Sequence, residues 1–146
     1  MVRGSAGFTL VEMLLSVVIL TMLVGLGTPV YASFVRRNDL DIATQGIADM
    51  MRRAETYARG VSGDSAWSVE FQTSSVTLFK GTAFASRDTT FDETVSIPIS
   101  IALSGLSEVQ FAKFSAAPNT TGTLTLTSTT NDTRTVTVNA KGMVAY

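Results

Sequence analysis

The sequence predicts an α+β protein in which a long N-terminal helix is followed by an antiparallel, β-rich head. Three observations support this prediction. Residues 8–31 are almost uninterrupted apolar sequence, residues 32–60 show helical periodicity, and residues 61–146 alternate apolar and polar side chains in short segments. The chain has 146 residues, so the part after the apolar run is large enough for one small domain.

The apolar run, FTLVEMLLSVVILTMLVGLGTPVY, contains a single charged residue, Glu12. As an α-helix it would be about 36 Å long, enough to cross a hydrocarbon layer of ~30 Å with some tilt. Residues 1–7 precede it as a short leader with one basic residue, Arg3. We therefore expect residues 8–31 to form a transmembrane helix.

Glu12 needs an explanation, because a charged residue inside a membrane segment is costly and is functional by default. A purely structural alternative is that an acid in the first turn suits the helix dipole. If such helices pack with an axial stagger, the α-amino group of one chain approaches Glu12 of another. An unpaired charge is expensive in a low dielectric, so we expect Glu12 to supply a counter-charge between subunits.

Gly25, Gly27 and Pro29 interrupt the end of the apolar run. A glycine costs about 1 kcal/mol relative to alanine in a helix interior, and a proline about 3 kcal/mol. We predict a weak point of the helix here, although glycine and proline are also simply frequent in membrane helices.

Residues 32–60 are predicted to continue the helix in amphipathic form. Asp49 and Arg53 are spaced to pair on its surface, and Arg59-Gly60 is a suitable helix end. The apolar residues recur at steps of three and four: Leu40, Ala43, Ile47, Met50 or Met51, Ala54 and Tyr57.

Short strand-like segments follow the helix. Residues 67–71 and 76–79 are predicted to form a hairpin, and residues 81–90 a loop. Pro98 should separate two further strands, because proline cannot donate to a sheet. The remaining strands are predicted at 94–97, 99–103, 108–111, 122–129, 134–140 and 143–145, with Leu124, Leu126, Val136 and Val138 facing inward.

The composition argues against catalysis. The chain contains no histidine and no cysteine, so it lacks the commonest general base and metal ligand, any thiol nucleophile and any disulfide. We expect no catalytic residue, no metal site and no cofactor. Head carboxylates are scattered over loops and strand faces, as in Asp64, Glu70, Asp88, Asp92, Glu93 and Asp132. Five aromatic residues of the head are predicted to lie in the core: Trp67, Phe71, Phe79, Phe111 and Phe114.

The junction GFTLVE at residues 7–12, with its short basic leader and apolar run, resembles the class III signal of type IV pilins and type II secretion pseudopilins. The resemblance implies that a prepilin peptidase cuts between Gly7 and Phe8, that the amino group of Phe8 is methylated, and that Glu12 serves in assembly. It also implies melting of the helix near Pro29 in a fibre. The implied partners are other pilin or pseudopilin subunits, the peptidase and an inner-membrane assembly platform.

The order of MMRRAETYARG, a Trp-bearing strand, VQF, GTLTL and RTVTVNAKGMV resembles the GspH/FimT family of minor pseudopilins and minor pilins over nearly the whole chain. This resemblance implies a head of two sheets. It also implies a single-pass protein of the bacterial inner membrane, with the head outside the cytoplasm, that is later incorporated in a fibre. The positive-inside rule points the other way, since Arg36 and Arg37 outnumber Arg3.

Other interpretations of the chain are an ordinary secretory signal cut after Ala32, a simple membrane anchor, and a DNA-binding minor pilin of a natural-transformation pilus. The apolar run is too long for a secretory signal. DNA contact would fall to Lys113, Arg134 and Lys141. From Val61 onward, however, five Lys or Arg face seven Asp or Glu, a net charge of −2, and the C-terminus GMVAY has no basic residue. A structural fibre subunit is therefore predicted, and nucleic-acid binding is not expected.

Overall fold

The structure is a computed structural model that describes the backbone of residues 7–146 and the side chains of residues 7–25, 31 and 33–146. It divides into a first unit that ends at Val35 and a second unit that covers Arg36–Tyr146. One helix, α1 (Leu10–Arg59), is 50 residues long and supplies residues to both units.

The first unit consists of residues 7–9 and the beginning of α1. All of its described side chains up to Gly25 are exposed, including a run of large apolar residues. Within the residues whose side chains are described, no helix has the length and apolar character needed to cross a membrane. The side chains of residues 26–30 are not among them, so the transmembrane segment over 8–31 stays a prediction. Of the predicted leader 1–7, only Gly7 is described.

The second unit contains the rest of α1 and two antiparallel sheets, as the GspH/FimT resemblance implied. The first sheet has the strand order β3-β2-β1-β5, and the second has the order β4-β6-β7-β8. The strands are β1 (Trp67–Phe71), β2 (Ser75–Lys80), β3 (Asp88–Ser96), β4 (Ile101–Ser104), β5 (Glu108–Phe111), β6 (Gly122–Ser128), β7 (Thr133–Val138) and β8 (Val144–Ala145).

A single hydrophobic core joins the apolar face of α1 to the inner faces of both sheets. The predicted stripe on the helix is confirmed, with Tyr57 half-buried at its end and the other members buried. The four predicted inward-facing residues of β6 and β7 are buried as well. The predicted α+β class is therefore confirmed, and most of the predicted strands match the observed ones within two residues.

The largest error in the predicted strands concerns residues 81–90. Instead of a loop to Thr90, the chain makes a short 3-10 turn at Phe84–Ser86 and then enters β3 at Asp88. Arg87 fixes this turn by donating to the Phe84 carbonyl oxygen at 2.7 Å and to Asp92 Oδ2 at 2.7 Å. The strand was missed because β3 is an edge strand whose side chains are mostly exposed, so its sequence shows little apolar alternation.

Of three further predictions, one agrees with the structure and two do not. Pro98 does separate two strands, since β3 and β4 are edges of different sheets. Phe114 was predicted to be buried but is 66% exposed, with a positive φ of 68°. Arg53 pairs with Glu93 of β3 rather than with Asp49, because a partner brought close by the fold replaces the one four residues away.

Two glycines of the second unit, Gly105 and Gly46, offer a matched test of this fold. Gly105 has φ +106°, and a Cβ there would lie 2.3 Å from the Thr123 carbonyl oxygen, whereas a Cβ at Gly46 of α1 meets nothing within 4 Å. We expect Gly105→Ala to destabilise the head by roughly 1–3 kcal/mol. Gly46→Ala should stabilise it by about 1 kcal/mol. Urea unfolding of the full chain in detergent, followed by Trp67 fluorescence, measures both; equal effects would contradict the structure at residue 105.

Candidate assembly segment and head surface

The start of α1 is set by Thr9, which acts as its N-cap. The Glu12 backbone N–H donates to Thr9 Oγ1 at 3.3 Å, and the Met13 N–H donates to the Thr9 carbonyl oxygen at 3.2 Å. Threonine followed three residues later by glutamate is the pattern of a capping box, which satisfies free N–H groups at a helix start. The pattern is visible in the sequence as Thr9-Leu10-Val11-Glu12, and sequence reasoning missed it.

Glu12 therefore has a local structural role that does not need its charge. The described contact is made by its backbone, and its carbonyl oxygen also accepts from Ser16 Oγ at 2.7 Å. The residue is exposed, and among the described residues its carboxylate makes no ion pair. Because these contacts are made by the backbone, they do not account for an acid at this position, and the carboxylate has no counter-charge inside the described chain.

The Gly7–Phe8 junction precedes the helix and is accessible. Both residues are exposed and lie before the first helical residue, Leu10. A Cβ at Gly7 would meet nothing within 4 Å, so the fold itself does not require glycine there. The assignment of this junction as a processing site stays a prediction.

At the predicted weak point, the backbone of α1 is helical through Gly25, Gly27 and Pro29. A Cβ at Gly25 would meet nothing within 4 Å, so no contact of the described residues demands glycine there. Gly27 and the Pro29 ring lie outside the described side chains. A weak point that acts in a fibre stays a prediction.

The structure does not bring the three candidate DNA-contacting residues together. Lys113 forms an ion pair with Asp64, just beyond the C-terminal end of α1, whereas Arg134 Nε lies 2.8 Å from Asp41 Oδ1, much earlier on the helix. Between Asp41 and Arg59, α1 rises by about 27 Å. Lys141 is exposed, and no ion pair involves it among the described residues. Two of the three cations are thus neutralised, at separate places.

The outer face of the first sheet carries an acidic pair. Glu70 of β1 lies directly opposite Glu108 of β5 in the strand register. Burial, followed by the charge of Glu108 and a hydrogen bond to it, raises the pKa of Glu70 above its ordinary value of 4.5. Elsewhere on the head, the hydrogen bond and charge of Lys113 lower the pKa of Asp64. Like charges on directly opposed strand residues destabilise a sheet.

This pair gives a pH-dependent prediction. Because the pKa of Glu70 is raised in the folded state, its contribution to stability is full below the unfolded pKa and is lost as pH rises through the folded pKa. We expect Glu70→Gln to raise stability at neutral pH by roughly 0.2–1 kcal/mol, and to have no effect well below the ordinary pKa of 4.5. Urea unfolding across that pH range measures this. A second change, Glu108→Gln, should add little to the first; full additivity would show that the two carboxylates do not interact.

The fold and the N-terminal segment together define a class of protein. A long helix begins with an exposed apolar stretch, and its later part packs on the antiparallel sheets of a small head. This is the architecture of the pilin-like proteins. The sequence adds a Gly-Phe junction ahead of the helix and an acid, Glu12, that is the fifth residue counted from Phe8.

Comparison with known proteins supports this class. Residues 2–28 match the prokaryotic N-terminal methylation motif. The fold is similar to that of the minor pseudopilin EpsH from the type 2 secretion system of Vibrio cholerae. The TM-score is 0.57 at 15% sequence identity, with 73% of this chain and 94% of that chain covered. A search of curated sequences gives no match. The motif and the fold confirm the predicted resemblance to the type IV pilin and pseudopilin superfamily.

Proposed function

We propose that this chain is a minor pilin or pseudopilin, of the GspH/FimT type, that is built into a pilus-like or type II secretion fibre. The coarser statement, a structural subunit of the pilin and pseudopilin class, is supported by the N-terminal methylation motif together with the fold. The single observation that carries the proposal is the joining of that motif, over residues 2–28, to a pseudopilin-like head on one helix.

The proposed course of events begins at the inner membrane. A prepilin peptidase removes residues 1–7, Phe8 becomes the methylated N-terminus, and the apolar segment anchors the chain with its head outside the cytoplasm. An assembly platform then moves the subunit into a fibre, where Glu12 faces the N-terminal amine of a neighbour. The exposed apolar side chains between Leu10 and Val24 would be covered first by lipid and then by other subunits. Melting at Gly25, Gly27 and Pro29 would let the helix lengthen in the fibre.

The experiment is to express the chain in a bacterium with a complete fibre system and to shear and purify the fibres. Presence of the chain in the fibre fraction, dependent on the prepilin peptidase, supports the proposal. A chain that remains in the membrane fraction of fibre-forming cells would be a plain anchor, and the proposal would be wrong.

The alternative, a DNA-binding minor pilin, gains no support from the head surface. Its net charge from Val61 onward is −2, and Lys113 and Arg134 are both paired with carboxylates. Nonspecific DNA binding requires the neutralisation of several phosphates and typically gives dissociation constants of about 10⁻⁴–10⁻⁶ M at physiological salt. We therefore expect no measurable affinity of the head for duplex DNA.

Titration of the full chain in detergent against labelled duplex at ~0.15 M salt tests this expectation. The control is a variant with Lys113, Arg134 and Lys141 all changed to alanine. Micromolar binding with a steep salt dependence, lost in that variant, would make DNA uptake the better explanation.

A further inference from the structure

Three turns meet at the end of the head where α1 enters it. The Ile97 N–H donates to the Ser74 carbonyl oxygen at 2.8 Å, and the Thr129 N–H donates to the Ser100 carbonyl oxygen at 3.0 Å. The turns at 72–75, 97–100 and 129–132 are therefore neighbours. Asp132 in the last turn lies 3.8 Å from Arg37 Nε, which places all three beside the first residues of α1 in this unit.

Ile99 protrudes from this end. Its exposure, 104% of the reference value, is the highest among the large apolar residues of the described chain. The turn that presents it is fixed, because Pro98 restricts the backbone and the Pro98 carbonyl oxygen accepts from the Ile101 N–H at 2.9 Å. An apolar side chain held fully in water by a rigid turn gains free energy only if something apolar covers it.

The surroundings of Ile99 suit a lipid surface. The three turns contain Ser, Thr, Asn and Gln beside the apolar residues, and their single charged residue, Asp132, already faces Arg37. Arg36, which is half-buried, and Arg37, which is exposed, also lie at this end, and guanidinium groups bind phosphate well. By contrast, the other end of the head, near Ala58, carries the charged pair Asp64 and Lys113.

The position of this end in the chain points to the same partner. Arg36 and Arg37 follow the predicted apolar segment, residues 8–31, after only a few residues. The end of the head that carries Ile99 is thus the one next to the apolar segment in the chain. Arginines close to a bilayer that contains anionic lipids are attracted to its surface.

We propose that the head, before it enters a fibre, docks on the anionic phospholipid surface of its own membrane through this end, with Ile99 inserted among the headgroups and Arg36 and Arg37 close to the phosphates. The inference rests on the proposed membrane anchoring. Docking of this kind would hold each membrane-anchored subunit in one orientation before assembly. The contact between head and lipid would be lost when the subunit leaves the bilayer.

The absence of cysteine from the chain allows a direct test with single labels. Three variants, Ile99→Cys, Met143→Cys and Val18→Cys, each carry one environment-sensitive fluorophore. Met143 is the matched control, being 60% exposed in the turn at 139–143, whose Gly142 lies against Ala116 and Glu55, away from Arg37. Val18 reports on the apolar segment. The full chain is placed at one copy per nanodisc of phosphatidylethanolamine and phosphatidylglycerol, with nitroxide quenchers on headgroups or acyl chains.

The expected result is strong quenching of residue 99 by headgroup nitroxides, several-fold above that of residue 143, and weaker quenching when phosphatidylcholine replaces phosphatidylglycerol. Residue 18 should be quenched by acyl-chain nitroxides in both lipids. If residue 18 is quenched and residue 99 behaves like residue 143, the docking is wrong and the anchoring stands. An unquenched residue 18 would overturn the anchoring and the docking together. Shielding of residue 99 only in discs with several copies would show that a second chain, not lipid, covers it.

Discussion

Changing Glu12 to alanine is expected to remove the chain from fibres almost completely while leaving its membrane insertion and its head unchanged. The described hydrogen bonds at Glu12 are made by its backbone, to Thr9 and Ser16, and alanine keeps both. What the change removes is the carboxylate, which has no ion-pair partner among the described residues. A neighbour's N-terminal amine would then stay unpaired in a low dielectric, which is expensive. Quantitation of the chain in sheared fibres measures the effect.

Controls separate the charge of Glu12 from its role in the helix cap. Thr9→Ala removes the side-chain acceptor of the cap and keeps the carboxylate; it should cost about 1 kcal/mol of helix stability and leave most incorporation intact. Glu12→Gln keeps the shape but not the charge, and should behave like alanine. Equal loss in Thr9→Ala and Glu12→Ala, with normal incorporation of Glu12→Gln, would assign Glu12 to capping alone.

Changing Gly7 to valine is expected to leave most of the chain unprocessed. The residue is exposed, and a Cβ there meets nothing within 4 Å, so the larger side chain disturbs no described contact. The expected effect therefore arises at the peptidase, which needs a small residue before the apolar helix. Immunoblotting should show the full-length form in place of the shorter one, whereas Gly46→Ala should be processed normally. Normal processing of Gly7→Val would show that cleavage occurs elsewhere.

The helix and strands whose apolar residues recur with a regular period were predicted correctly from the sequence. The stripe from Leu40 to Ala54 follows helical spacing, and residues 122–128 and 133–138 alternate strictly; the structure buries both sets as predicted. Strand β5, at Glu108–Phe111, was placed without error. These segments bury one face each, so the core dictates their pattern of side chains.

Features fixed by distant contacts could not be predicted in this way. Strand β3 is an exposed edge whose start depends on Arg87, Phe84 and Asp92. The pairing of Lys113 with Asp64 and of Arg134 with Asp41 joins residues 49 and 93 positions apart. No local spacing reveals such pairs, and they decide whether the head presents free cations. Ile99 was predicted to lie in a strand, but the structure places it, fully exposed, in the turn before β4.

The proposed assembly depends most directly on the mature N-terminus of the chain, which intact-mass and peptide mass spectrometry of the protein purified from the expressing cells can determine. The prediction is a chain that begins at Phe8 with a methylated amino group, so that Glu12 is its fifth residue. A chain that begins at Ser33 would identify an ordinary secretory signal, remove the apolar segment from the mature protein, and contradict the proposed assembly.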